Sequence, residues 1–225
     1  MTIPTHISAP TRFGLGKVFS YEGNVLPQDS SPAWTVETTE DGVIEINDGI
    51  LDLHNPNGTR GSAECVIDNV VNSNKVVFEI KMKLEGYNDE YPSGICRLRL
   101  YPAPFWGDRP YFLLLKTTLK CYAPAGDDFY IDIPDTTTQF RVYKWIFDLE
   151  NQLLDIHIDG VPYLENRAYH DDMAPFVLGE QLQIIGYKWG IGYTFTWHIY
   201  IDYIRVYGIG SKRVATPTRI ATPTR

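Results

Sequence analysis

The stretch Trp197-His198-Ile199-Tyr200-Ile201-Asp202-Tyr203-Ile204-Arg205-Val206-Tyr207 decides the fold class. It is a run of β-branched and aromatic residues, so it reads as one long strand near the end of an all-β domain. Upstream of it, Asp155-Ile156-His157-Ile158-Asp159-Gly160 reads as a strand closing on an Asp-Gly turn, the chemistry of a tight hairpin. Further back, Val76, Phe78, Ile80, Met82 and Leu84 alternate with Glu79, Lys81 and Lys83, one set for a core and the other for solvent. Cys96, Leu98 and Leu100 alternate in the same way with Arg97, Arg99 and Tyr101.

Helical periodicity is nearly absent, and turn chemistry at Gly42, Asp48-Gly49, Asn57-Gly58, Gly86, Asp127 and Asp159-Gly160 cuts the chain into short apolar runs. Strands are predicted near 17–21, 33–37, 43–46, 50–54, 62–68, 75–85, 94–101, 110–116, 118–122, 129–132, 140–148, 152–158, 181–187 and 195–207. Each has one apolar and one wet face, so two sheets must stack on each other. So many strands without helices predict an all-β, two-sheet antiparallel jelly-roll sandwich over residues 13–208, with Trp34, Trp145 and Trp197 in its core.

The net charge of −8 excludes nucleic acid as the main partner, since phosphate binding needs a basic stripe. No run approaches the ~18 apolar residues of a membrane span. Cys65, Cys96 and Cys121 are odd in number and lack C-x-x-C spacing, which predicts buried thiols rather than a zinc knuckle or redox pair. The amino terminus has neither a charged n-region nor an apolar h-region, so a soluble product of the reducing cytoplasm is expected. The ends differ from the body. Residues 209–225 carry a repeat of the form R-[VI]-A-T-P-T, and Ala9-Pro10-Thr11-Arg12 echoes it within a second arm, 1–12. Such segments bury no core of their own and favour an extended path, so they are expected to hold the module to other subunits of an assembly.

The closing strand resembles that of the concanavalin A-like lectin/glucanase superfamily, including its laminarinase-like and LamG-like members. Ile156-His157-Ile158-Asp159-Gly160 resembles the hairpin before it there, and Asp48-Gly49-Ile50-Leu51-Asp52-Leu53 resembles an earlier strand. More loosely, Tyr21 through Trp34 resembles openings of lectin-like structural proteins of bacteriophages. The resemblance implies the jelly roll, but this fold hosts lectins, hydrolases, lyases and structural modules alike.

The glucanases of that superfamily cut with an E-x-D-x-x-E strand, whose glutamates must sit about 5 Å apart on one face. No Glu in this chain has Asp two residues later, and the pair Asp148 and Glu150 falls at a predicted turn. Hydrolysis of that type is not expected. The alginate-lyase branch uses Arg, His and Tyr, which Arg97, Tyr101 and His157 would supply as the alternative, enzymatic reading. Otherwise His157 is a solvated strand residue, and Arg97 and Arg99 form an exposed face paired with Glu79.

By the same resemblance a structural calcium ion would take Asp202 and the Gly49 carbonyl, with Glu22 adding a carboxylate. The alternative is that Asp202 accepts backbone hydrogen bonds at a strand edge. For glycans, two Pro- or Gly-rich aromatic loops have the right composition: one holds Tyr101, Trp106 and Arg109, the other Tyr187, Trp189 and Tyr193. Together these readings predict a non-catalytic, lectin-like, glycan-binding module displayed on a virion or cell surface. The alternative is a polysaccharide-degrading enzyme, alginate-lyase-like or glucanase-like.

Overall fold

The computed structural model describes residues 16–57, 62–68, 73–86, 96–101, 111–122, 129–148, 151, 153–168, 181–187 and 196–211. They build two antiparallel sheets facing each other. The first runs in the order β13 (Val161–Ala168), β12 (Leu153–Ile158), β11 (Arg141–Asp148), β6 (Ser73–Glu85), β15 (Trp197–Ser211), β4 (Ile50–Asn55), β3 (Val43–Asn47). β15 is long enough to carry two partners on one edge. β4 pairs with Trp197–Ile201, and β1 (Gly16–Tyr21) pairs with Ile204–Gly208. A bulge between Ile201 and Tyr203 separates the two and leaves Asp202 as the extra residue. The second sheet runs β10 (Phe129–Asp132), β9 (Thr118–Tyr122), β8 (Tyr111–Leu114), β7 (Cys96–Tyr101), β14 (Gln181–Tyr187), β5 (Ser62–Asp68), β2 (Thr35–Thr39). One short 3₁₀ turn, Pro27–Asp29, links β1 to β2.

The alternation read from the sequence sets which residues meet between the sheets. Val76, Phe78, Ile80, Met82 and Leu84 are each at most 2% exposed, while Glu79, Lys81 and Lys83 stay half-buried on the other face. Across the sandwich Phe112 of the second sheet packs on Trp145 and Phe147 of the first, with ring centroids 5.6 and 6.1 Å apart. Trp197 lies over Gly186, which leaves room for its ring. Trp34 is held between Phe19 and Tyr21. Cys65, Cys96 and Cys121 are all buried thiols, as their number and spacing predict.

Two differences from the sequence reading stand out. β13 was not predicted, because its eight residues are exposed or half-buried throughout and show no period-two alternation. It is an edge strand, where Pro162 near its start is tolerated and bulges break its register against β12. And β15 does not stop at 208. Ile209 and Ser211 pair with Lys75 and Ser73, so the closing strand takes three residues from the segment assigned to the carboxyl-terminal arm. Residues 1–12 and 212–225 of the arms lie outside the described residues.

The Asp159-Gly160 hairpin is confirmed, with both residues at positive φ, 51° and 80°, as a two-residue turn of the primed type requires. Asp159 also ties this turn to β11. Its carboxylate accepts hydrogen bonds from the Val142 N–H at 2.9 Å and from Arg141 Nη1 at 2.8 Å, and its own N–H donates to the Val142 carbonyl. Asp159→Ala is expected to lower stability by about 1–2 kcal/mol, and Asp159→Asn by less, because the amide oxygen still accepts from Val142. Urea midpoints of the two variants check this; equal losses would mean that the ion pair, not the backbone bond, is what matters.

Candidate functional site

The pairing of the second sheet aligns residues of successive strands in rows. Tyr130, Lys120, Leu113, Arg97, Ile185, Glu64 and Glu37 follow one another in register across all seven strands. A second row holds Tyr122, Tyr111, Arg99, Gln183 and Val66. Tyr130 is 62% exposed, the most open large aromatic among the described residues, and the Lys120 ammonium lies 5.0 Å from its ring centre. Leu113 is only 2% exposed although it alternates with the core-facing Phe112 and Leu114, so this position in the middle of the face is covered. The sequence reading missed Tyr130. Its signal was present in Phe129-Tyr130-Ile131-Asp132, where burial of Ile131 turns Tyr130 outward.

Arg97 and Tyr101 lie on β7 of the second sheet, whereas His157 lies on β12 of the first, between the buried Ile156 and Ile158. The fold therefore does not bring the three together, and His157 faces away from the other sheet altogether. Glu79 is not a partner of Arg97 or Arg99 either. It sits on β6 of the first sheet and pairs with Lys144 at 3.0 Å. Tyr101 and Tyr187 end adjacent antiparallel strands. Tyr101 pairs with Gln181 and Tyr187 is six residues on, so the two aromatic loops leave the sheet from points about 20 Å apart. Trp106, Arg109, Trp189 and Tyr193 lie outside the described residues.

The residues read for calcium have other engagements. Asp202 Oδ2 meets Lys81 Nζ at 2.6 Å, and Glu22 accepts from Arg205 Nη2 at 2.9 Å and from Ser20. Gly49 sits at φ 76° in the turn between β3 and β4. Each carboxylate thus pairs with a cation of the chain.

A different polar cluster occupies the outer face of the first sheet. Asp52 and His54 on β4 point away from the core because Leu51 and Leu53 point into it, and His198 and Tyr200 on β15 do so opposite Trp197 and Ile199. The His54 and His198 rings stack at 4.8 Å, and His198 stacks in turn on Tyr200 at 5.3 Å. Tyr200 donates to Glu85 at 3.2 Å, and burial, helped by the Asp52 and Glu85 charges, pushes its hydroxyl up to about 12. Lys83 holds the Glu85 carboxyl below the usual range. Asp52-x-His54 spacing on one strand was the available signal, but the third member depends on which strand lies beside β4.

No protein-family model and no curated protein sequence matches the chain. Solved structures do. A glucanase described as SCLam, a non-specific endo-β-1,3(4)-glucanase from family GH16, is 15% identical with a TM-score of 0.61, over 93% of this chain and 94% of that one. The carbohydrate recognition domain of Emp46p is 12% identical with a TM-score of 0.59, over 87% of this chain and 99% of that one. This is the concanavalin A-like lectin/glucanase fold. A sialidase superposes with a TM-score of 0.59 at 9% identity over 78% of this chain, which spans 17% of the sialidase. At these identities the likeness is one of scaffold. It agrees with the jelly roll read from the closing strand. Among the described residues no helix is long and apolar enough to cross a membrane.

Proposed function

We propose that the protein is a lectin-like module that binds glycans without cleaving them, and that the outer face of the second sheet is where it does so. One observation carries this reading. Four consecutive strands of that sheet, β9, β8, β7 and β14, contain no Asp or Glu. A glycosidase needs two carboxylates flanking the scissile bond; on this sheet Glu64 and Glu37 lie on β5 and β2, to one side of these four strands. The four strands carry cations, phenols and amides instead: Arg97, Arg99, Lys120, Tyr101, Tyr111, Tyr122, Gln181 and Gln183. In a chain of net charge −8, that concentration of cations favours an anionic sugar, a uronate, sialate or sulfate ester. Tyr130 offers a flat ring for stacking at the end of the row. The carbohydrate recognition domain among the similar structures supports the same reading.

A lyase uses the same cations to neutralise a uronate before removing a proton, so the two readings share a ligand and differ in its fate. The nearest base the sequence suggested, His157, is on the other sheet. Display on a particle, through arms built on the R-[VI]-A-T-P-T repeat, is part of the proposal and rests on that repeat. The test is a glycan array followed by incubation with the best ligand. Retention of acidic glycans over neutral ones is expected, with Arg97→Ala and Tyr130→Ala each weakening it about tenfold or more. Absorbance from unsaturated ends, or new reducing ends, would replace the lectin reading with an enzymatic one.

A further inference from the structure

We propose that Asp52, His54 and His198 form a binding site for a first-row transition metal ion such as Zn²⁺, on the face of the molecule opposite the glycan-binding sheet. His54 and His198 are directly paired across β4 and β15, and Asp52 lies two residues from His54 on the same face. One donor atom from each residue lies within 4.8 Å of the others. His198 Nδ1 is 3.1 Å from Asp52 Oδ2, and His54 Nδ1 is 3.4 Å from the same oxygen. A tetrahedral ion bonded at about 2.0–2.1 Å holds its ligands about 3.3–3.4 Å apart, so both separations are within a few tenths of an ångström of such an edge.

The protein's own interactions leave this cluster incomplete. The Asp52 side chain is 3% exposed, yet among the described residues no Lys or Arg pairs with it; the two groups within ion-pair distance are imidazoles, charged only when protonated. Burying a carboxylate without a cation is costly. His54 is 8% exposed, and its Nδ1, turned toward Asp52, has no hydrogen-bond partner. A bound cation resolves both at once, accepting lone pairs from the two nitrogens and neutralising the carboxylate. The surroundings are those of a ligand shell. Asn47 Nδ2 donates to Asp52 Oδ2 at 3.4 Å and to Glu45 Oε1 at 2.8 Å. Glu45 Oε1 in turn lies 3.8 Å from His54 Nε2, placing a carboxylate beside the imidazole nitrogen left over when Nδ1 binds metal. Two imidazoles and a carboxylate suit zinc, copper or nickel better than calcium or magnesium. Three protein ligands also leave one coordination position open on the His198 side, where that side chain is 29% exposed.

The test is calorimetric titration of the tag-free full chain with zinc chloride, with cobalt(II) absorption as a second readout. The expected result is a single zinc ion per chain, visible bands of tetrahedral cobalt, and loss of at least about tenfold in affinity in Asp52→Asn and in His198→Gln. Circular dichroism shows whether these near-isosteric variants stay folded, and His157→Gln, on the same sheet, should bind as the parent does. No heat and no cobalt bands, or an affinity unchanged in Asp52→Asn and His198→Gln, would overturn the site.

Discussion

Trp197→Ala is expected to destabilise the protein by about 3–5 kcal/mol, and Gly186→Ala by about 1–3 kcal/mol, with the double variant losing much less than the sum. Trp197 is fully buried, and its ring passes between the sheets onto the bare backbone of Gly186. A Cβ on Gly186 would lie 2.3 Å from Trp197 Cζ3, 2.5 Å from Cη2 and 2.9 Å from Ile199 Cδ1. Carbon atoms prefer about 3.5–4.0 Å, and a close-packed interior gives the ring nowhere to retreat. Removing the ring leaves a cavity that the added methyl group partly fills. The coupling between the two changes is therefore expected at about 0.5–3 kcal/mol, in the rescuing direction. Denaturant midpoints of the four proteins measure it. Strict additivity would mean that Trp197 escapes the clash by moving, and that the sandwich is looser here than its packing implies.

Alkaline pH is expected to destabilise the protein, with Cys96 a main cause. Complete burial pushes the Cys96 thiol up to about 12 from its ordinary 9.0. In the unfolded chain the thiol releases its proton near 9.0, while in the folded protein it keeps it until about 12. Across that interval the unfolded state binds fewer protons, so stability falls as pH rises, and is fully present below the lower value. At about 1.36 kcal/mol per pH unit the loss is on the order of 4 kcal/mol, a large share of the ~5–15 kcal/mol that holds an ordinary domain together. Burial raises the Cys65 thiol too, and Tyr200 and Tyr203 are pushed up to about 12, also mainly by burial. Both rings are partly solvated, so their share is smaller. Midpoints under reducing conditions from about pH 8 to about pH 11 should show the decline, and Cys96→Ala should flatten it. A slope identical in Cys96→Ala would remove that residue from the account.

Much of the fold was legible because burial and period-two alternation are local. Val76 through Leu84 announced its core face residue by residue, and Asp159-Gly160 announced its turn, since only residues tolerant of positive φ fit there. β13 was not legible, because an edge strand has no buried face to impose alternation, and Pro162 and Asn166 read as loop. The candidate sites were legible only in part. Arg97 and Arg99 stood out as cations on one strand face, but grouping them with His157 required strand order, and strand order put them on different sheets.

By itself, then, the sequence determined the class of the protein. Alternating strands and turn residues compel two stacked antiparallel sheets. Only the tertiary structure decided which side chains meet. Asp52 and His198 are separated by 146 residues, and they touch because β4 happens to pair with the first half of β15, in a register that sets His54 opposite His198. Register is chosen by the whole hydrophobic face of both strands at once, so no single stretch of the chain contains it.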